Sequence, residues 1–157
     1  MTCHLFLPPT YEGELTPHGP RITNVLYFKK ESNTGRELGL CMFGEVVPQT
    51  AYELVKDGYT YIDVRADSEF QNGHPAGAIN IPAFFVTAMG MQKNPEFVNQ
   101  VAEKYPEKDS KLVIGCQMGV RSAQAAAWLE DAGYQTVVNM EGGYGAWARD
   151  DSLPVEV

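Results

Sequence analysis

From Pro48 onward, short β-branched and apolar runs alternate with stretches whose apolar residues recur at helical spacing, and no other feature constrains the fold as strongly. Residues 59–64 (YTYIDV), 78–81, 112–115 (LVIG) and 136–138 read as strands. Between them, Thr50 is placed to cap a helix through Lys56, and 67–72 makes one or two helical turns. A further helix is predicted over 95–105, with Pro95 at its start. Another covers 122–132, where Ala125, Trp128, Leu129 and Ala132 follow i, i+3, i+4, i+7 spacing and Gly133 ends it. Gly142-Gly143 opens a last helix carrying Trp147. Such alternation predicts an α/β fold with a mostly parallel central sheet flanked by helices.

Residues 1–44 are read as a separate N-terminal extension and 45–157 as the main α/β domain. Proline and glycine punctuate 1–20, which reads as an irregular arm. Residues 22–30 and 38–47, joined by a polar linker, are predicted to form a β-hairpin. Two roles for it stay open: extending or covering a sheet edge, or pairing two copies into a homodimer by strand exchange.

The chain has 157 residues, 20 acidic and 12 basic, for a net charge of −8. No basic run appears, so a nucleic-acid partner is not expected. No apolar stretch approaches the roughly 18 residues of a membrane helix. Three cysteines cannot staple a small secreted domain, and a reducing, cytoplasmic setting is expected. The N-terminal MTCHLFLPP lacks the basic flank of a secretory signal.

Parallel α/β sheets place their chemistry beyond the carboxyl ends of the strands. There, after 112–115, stands Cys116, followed by Gln117, Met118, Gly119, Val120, Arg121 and Ser122. Backbone N–H groups at a helix start lack intrahelical partners and can turn toward the sulfur. The helix dipole adds partial positive charge, and both effects favour thiolate over thiol. Gly119 supplies the backbone freedom a tight loop needs. Arg121 offers a fixed charge at the rim for an anionic donor. Cysteine, glycine and arginine alone are equally compatible with an inert buried cysteine.

The run Cys116 to Ser122 resembles the active-site loop of rhodanese-like domains, and three other segments resemble family signatures in the same order. These are Asp63-Val64-Arg65; Glu69-Phe70 with Gly73-His74 and residues 77–82 (GAINIP); and Glu141-Gly142-Gly143-Tyr144 with Ala146-Trp147. The resemblance covers about 45–152 and is strongest to single-domain thiosulfate sulfurtransferases. It implies that Cys116 takes sulfur from thiosulfate or a persulfide, becomes a persulfide, and passes the sulfur to cyanide, glutathione or another thiol. No metal and no organic cofactor are implied. Backbone N–H groups from Gln117 to Ser122 would hold the sulfur, and Arg121, with Arg65, the donor. Two departures stand out: Gln117 where many relatives carry arginine, and a proline shifted by one in His74-Pro75-Ala76-Gly77.

Rival readings accompany these. A phosphatase of this fold carries five residues between cysteine and arginine, whereas four separate Cys116 from Arg121. A non-catalytic regulatory module, or a persulfide or redox sensor pairing Cys41 with Cys116, is the alternative function. Asp63 is expected to pair with an arginine, Glu69 to organise a turn or do likewise, and His74 to be structural. Cys3, His4 and His18 lack metal-ligand spacing. Phe84, Phe85, Met89 and Met91 are expected chiefly to pack, and Trp128 and Trp147 to sit in the core.

Overall fold

The computed structural model describes residues 22–29 and 40–157, with side chains from residue 44 onward. Strands β1 (Ile22–Lys29) and β2 (Leu40–Val46) form the expected antiparallel hairpin. The linker between them and residues 1–21, including Cys3, His4 and His18, lie outside the described residues. After the hairpin come α1 (Pro48–Lys56), β3 (Thr60–Asp63), α2 (Asp67–Gln71), β4 (His74–Pro75) and β5 (Ile79–Asn80). A second hairpin, β6 (Phe84–Thr87) and β7 (Gly90–Lys93), leads to α3 (Phe97–Lys104). The chain finishes with β8 (Lys111–Gly115), α4 (Val120–Asp131), β9 (Thr136–Met140), α5 (Gly143–Trp147) and β10 (Val155–Glu156).

Six strands make the central sheet in the order β1-β2-β9-β8-β3-β5, and every pairing but β1–β2 is parallel. The hairpin therefore extends the sheet within one chain. The boundary expected at 44/45 falls inside β2, whose pairing with β9 runs from Met42 to Val46. Pro48 begins α1, so Thr50 lies inside that helix and Val47, without a side-chain cap, precedes it. Proline is tolerated there because the first-turn N–H has no partner in any case.

Side chains alternate across the sheet with period two. Ile62, Leu112 and Ile114 face one layer with Phe97, Val101 and Leu129 of α3 and α4. Tyr61, Val113 and Val138 face the other, with Ala51 and Trp147 of α1 and α5. Both faces are covered, and this is why the strands read as continuous apolar runs. Cys116 shares the parity of Leu112 and Ile114, so its thiol falls on the α3/α4 face, beneath the start of α4.

Trp147 is buried as expected, but Trp128 is only partly so. It packs edge-on to Phe97 and at a tilt to Phe84, with the Lys93 ammonium 3.8 Å from its ring centroid. The β6–β7 hairpin departs from expectation. Phe85, Val86, Met89 and Met91 are exposed, Met89 by 90%. Sequence reading missed these strands because an apolar run beside Gly90 fits buried packing and an exposed hairpin equally.

Candidate active site

The strand registers assemble the site. Asp63 is level with Gly115 and Asn80, Ile114 with Asn139, and Val46 with Met140. Cys116, Arg65 and Glu141 therefore emerge at one edge, the carboxyl end of the sheet. Cys41 does not. Met42 is level with Thr136, and Thr136 with Lys111, at the start of β8. That puts the Cys41 backbone two strands away from β8 and at the opposite end from Cys116. A disulfide needs Cα atoms within about 7 Å, so this register rules out the Cys41–Cys116 pairing within one chain.

The Cys116 side chain is buried, the residue being 1% exposed. Its sulfur accepts a hydrogen bond from the Gly119 amide at 3.1 Å and from the Ser122 hydroxyl at 3.3 Å. Burial pushes the thiol up, but the Ser122 hydroxyl and the amides of Ser122, Met118 and Gly119 outweigh it and hold the thiol below its ordinary range. Gly119 makes this geometry possible. It is the residue preceding α4, with φ of 91°, a left-handed value that side chains resist.

The loop is held from behind by α5. The Tyr144 amide donates to the Cys116 carbonyl at 2.7 Å, and the Gly145 amide to that of Gln117 at 2.9 Å. With its carbonyls drawn outward, the loop turns amides inward, toward the sulfur. Gly143 lies so close that a Cβ there would stand 2.6 Å from the Gln117 carbonyl carbon.

Both arginines come to the loop, but neither is free. Arg65 is 2% exposed. Its Nε and Nη2 donate to Asp63, at 3.0 and 2.7 Å, while Nη2 also reaches the Gly73 carbonyl. Nη1 donates to Gln117 Oε1 at 3.2 Å, and the guanidinium stacks 4.2 Å from the Tyr144 ring centroid. Arg65, expected to help hold the donor, is buried, and its guanidinium ties Asp63, the chain leaving α2 and Gln117 together. Arg121 makes a two-pronged pair with Glu69, both bonds 2.8 Å. Glu69 also accepts from the Ala66 amide, and its carboxyl is held below the usual range, above all by the Arg121 hydrogen bond. Met118 and Val120 stand exposed at the rim, by 75% and 68%. His74 is structural: its ring stacks 3.7 Å from Phe70, and Nδ1 meets the Phe70 carbonyl. The shifted Pro75 is accommodated by β4, where it pairs with Val155 of β10.

Tyr144 and Gly143 carry more of the loop's geometry than their place in a signature segment announced. The order of segments did flag them. Glu45 and Asn139, cross-strand partners beside the loop, left no sequence signal, because only the β2–β9 register brings them there.

A helix-flanked parallel sheet with a buried cysteine held by loop amides at its carboxyl edge defines an α/β domain whose candidate site centres on Cys116. The profile of the rhodanese-like domain matches residues 47–150, and the chain belongs to that family of sulfurtransferases. It is 43% identical over 106 residues to "Thiosulfate sulfurtransferase 16, chloroplastic" of Arabidopsis thaliana, a match spanning 68% of this chain and 87% of that one. It is 31% identical over 114 residues to "Thiosulfate sulfurtransferase GlpE" of Haemophilus influenzae, covering 73% of this chain and 95% of that one. A match to the Arabidopsis "Rhodanese-like domain-containing protein 15, chloroplastic" spans 58% of that relative's length. Among solved structures, a rhodanese-related protein from Thermoplasma volcanium aligns with a TM-score of 0.52 at 31% identity, over 71% of this chain and 96% of the other. A rhodanese-like domain from Anabaena aligns at 0.57 and 23% identity over 71% and 77%, a likeness of fold.

Proposed function

We propose that this chain is a sulfurtransferase that carries sulfane sulfur as a persulfide on Cys116, and that a persulfide serves it better as donor than thiosulfate does. The observation that carries the reading is the Cys116 sulfur, buried and supplied with the Gly119 amide and the Ser122 hydroxyl. In the first half-reaction the Cys116 thiolate attacks the outer sulfur of the donor. Thiosulfate would release sulfite; a persulfide R–S–SH would release R–S⁻, leaving Cys116–S–SH. In the second, a thiolate or cyanide attacks that outer sulfur and frees the Cys116 thiolate. No external oxidant or reductant enters either step. Amides that stabilise the thiolate also suit the persulfide anion.

The preference for a persulfide rests on charge. Two guanidiniums adjoin the loop, and each is committed to a carboxylate: Arg65 to Asp63, Arg121 to Glu69. Gln117 adds none. A dianion must therefore compete with Glu69 for Arg121, against a net charge of −8. The chemistry requires a compartment that keeps Cys116 reduced, such as the cytoplasm; plant relatives carry chloroplastic and mitochondrial names. No helix among the described residues is long and apolar enough to cross a membrane.

The test is the rate of sulfur loading onto Cys116 from equal concentrations of thiosulfate and glutathione persulfide, in wild type and Glu69→Gln. Faster loading from the persulfide, with thiosulfate gaining ground in the variant, is expected. Equal loading in wild type and no shift in the variant would overturn the donor preference. No loading from either donor would overturn the sulfurtransferase reading.

A further inference from the structure

The β6–β7 hairpin carries apolar side chains that the core does not bury. Its base is engaged: Phe84 and Lys93, level with each other, meet Trp128. One step out on the same face, Val86 and Met91 pair across the strands and are exposed, by 69% and 54%. Phe85 is exposed on the opposite face, and Met89 stands at the turn. The turn is closed, with the Thr87 hydroxyl donating to the Gly90 carbonyl at 2.8 Å and accepting from the Met89 amide at 3.2 Å. Exposed apolar surface held in one shape marks a contact site. The Val64 amide donates to the Gly115 carbonyl at 2.9 Å, and the Ala83 amide to the Val64 carbonyl at 3.2 Å. The hairpin therefore springs from the carboxyl edge of the sheet, two strand spacings, about 10 Å, from the backbone that leads into Cys116. Glutathione, three residues with its cysteine in the middle, reaches at most about 7 Å to either side, less than that separation. A cysteine on a protein brings surface across it.

Charge and area narrow the partner. No aspartate or glutamate occurs between Glu69 and Glu96, in a chain of net charge −8. The hairpin therefore accepts an uncharged surface without desolvating a carboxylate of its own. Its four exposed apolar side chains offer roughly 150–300 Å², against about 800 Å² per partner in a stable complex. The contact is thus a transient one. A second copy of the chain would bring its own eight negative charges to so small an area. A bilayer surface calls for basic residues beside the apolar ones, and Lys93, the one cation of the hairpin, lies over Trp128.

We propose that the β6–β7 hairpin is a transient docking surface for a protein whose cysteine, set among uncharged apolar side chains, takes sulfur from Cys116. The inference rests on the sulfurtransferase reading and deepens it by naming the acceptor class: a protein thiol rather than a small one. The partner's thiolate attacks the outer sulfur, and the step balances as R–S⁻ plus Cys116–S–SH giving R–S–SH plus Cys116–S⁻. Val86, Met89 and Met91 hold the partner, and exposed Met118 and Val120 give the Cys116 loop an apolar rim of its own.

The experiment loads Cys116 from glutathione persulfide, removes the donor, and follows clearance by glutathione and by two nine-residue peptides with a central cysteine. One peptide carries leucine and phenylalanine towards its ends, the other serine. Their ends reach about 13–14 Å from the cysteine, past the root of the hairpin. Wild type is compared with the triple variant Val86→Ser, Met89→Ser, Met91→Ser. Each thiol is compared with itself across the two proteins, so intrinsic reactivity cancels. Clearance by the apolar peptide is expected to fall about three- to tenfold in the variant, because ordering the peptide offsets most of what burial gains. Clearance by the serine peptide and by glutathione should hold. Unchanged clearance by the apolar peptide, or an equal fall for all three thiols, would overturn the proposal. A wild-type dimer that the variant dissolves, seen by analytical ultracentrifugation, would overturn it in favour of a second copy. Wild type sedimenting with phosphatidylcholine vesicles while the variant stays behind would overturn it in favour of a membrane. Should the triple variant disturb the hairpin, Met89→Ser alone, at a turn residue 90% exposed, carries the same test. Loading is measured before any thiol is added, so failure to load would refute the sulfurtransferase reading itself, separately from the docking surface.

Discussion

Two glycines that both hold positive φ but differ in their surroundings separate loop support from general stability. Gly143 and Gly133 both have positive φ, 59° and 95°. A Cβ at Gly133 meets nothing within 4 Å, whereas one at Gly143 would stand 2.6 Å from the Gln117 carbonyl carbon and 2.7 Å from the Met118 nitrogen. Alanine at Gly133 should therefore cost only the left-handed backbone term, about 1–2 kcal/mol. Alanine at Gly143 adds overpacking against backbone that cannot rotate away, about 1–3 kcal/mol more. That total, about 2–5 kcal/mol, is a large part of the stability of a domain this size. The same displacement pushes Gln117 and Met118, tilting the amides that face the sulfur. Urea unfolding gives the first quantity, and the rate of Cys116 alkylation by iodoacetamide at fixed pH the second. Gly133→Ala should be mildly destabilised and alkylate as wild type; Gly143→Ala should lose more stability and react more slowly. Equal destabilisation with unchanged alkylation in both would refute the argument that α5 shapes the thiolate cradle.

Other expectations follow from the same geometry. Asp63→Asn leaves the Arg65 charge buried without its partner and should cost about 3–5 kcal/mol, read as a lower Tm. Glu69→Gln breaks a partly exposed pair and should cost only about 0–1 kcal/mol, so its effect on thiosulfate loading is measured in a folded protein. Because the Cys116 pKa is held below its ordinary value, its contribution to stability is complete above the unfolded-chain value and is lost as pH falls through the folded one. Alkylation against pH should accordingly turn on at lower pH than for an ordinary thiol, and Ser122→Ala should move that midpoint up.

The sheet was legible because its strands are apolar on both faces and its helices keep strict spacing; Cys116 was legible because one strand ends at a glycine and the next helix begins after another. What stayed hidden depends on partners distant in sequence. That Asp63 pairs with an arginine is legible; that the Gly73 carbonyl and the Tyr144 ring close around Arg65 is not. Glu69 is expected to organise a turn or pair with an arginine, but it lies 52 residues from Arg121, and nothing local says which arginine it takes. Whether Cys41 can pair with Cys116 is not legible until β2 is placed parallel to β9, with its start at the far end. The β6–β7 hairpin failed for the opposite reason: its apolar residues followed the rule for packing and stand in solvent.

Sulfur transfer by this chain requires that the sulfur ride on Cys116. Intact-protein mass spectrometry after brief exposure to a persulfide donor tests it directly, with Cys116→Ser alongside. A gain of about 32 Da, one sulfur atom, on wild type and not on the variant is the predicted result. The same gain on both proteins, or on neither, would contradict it.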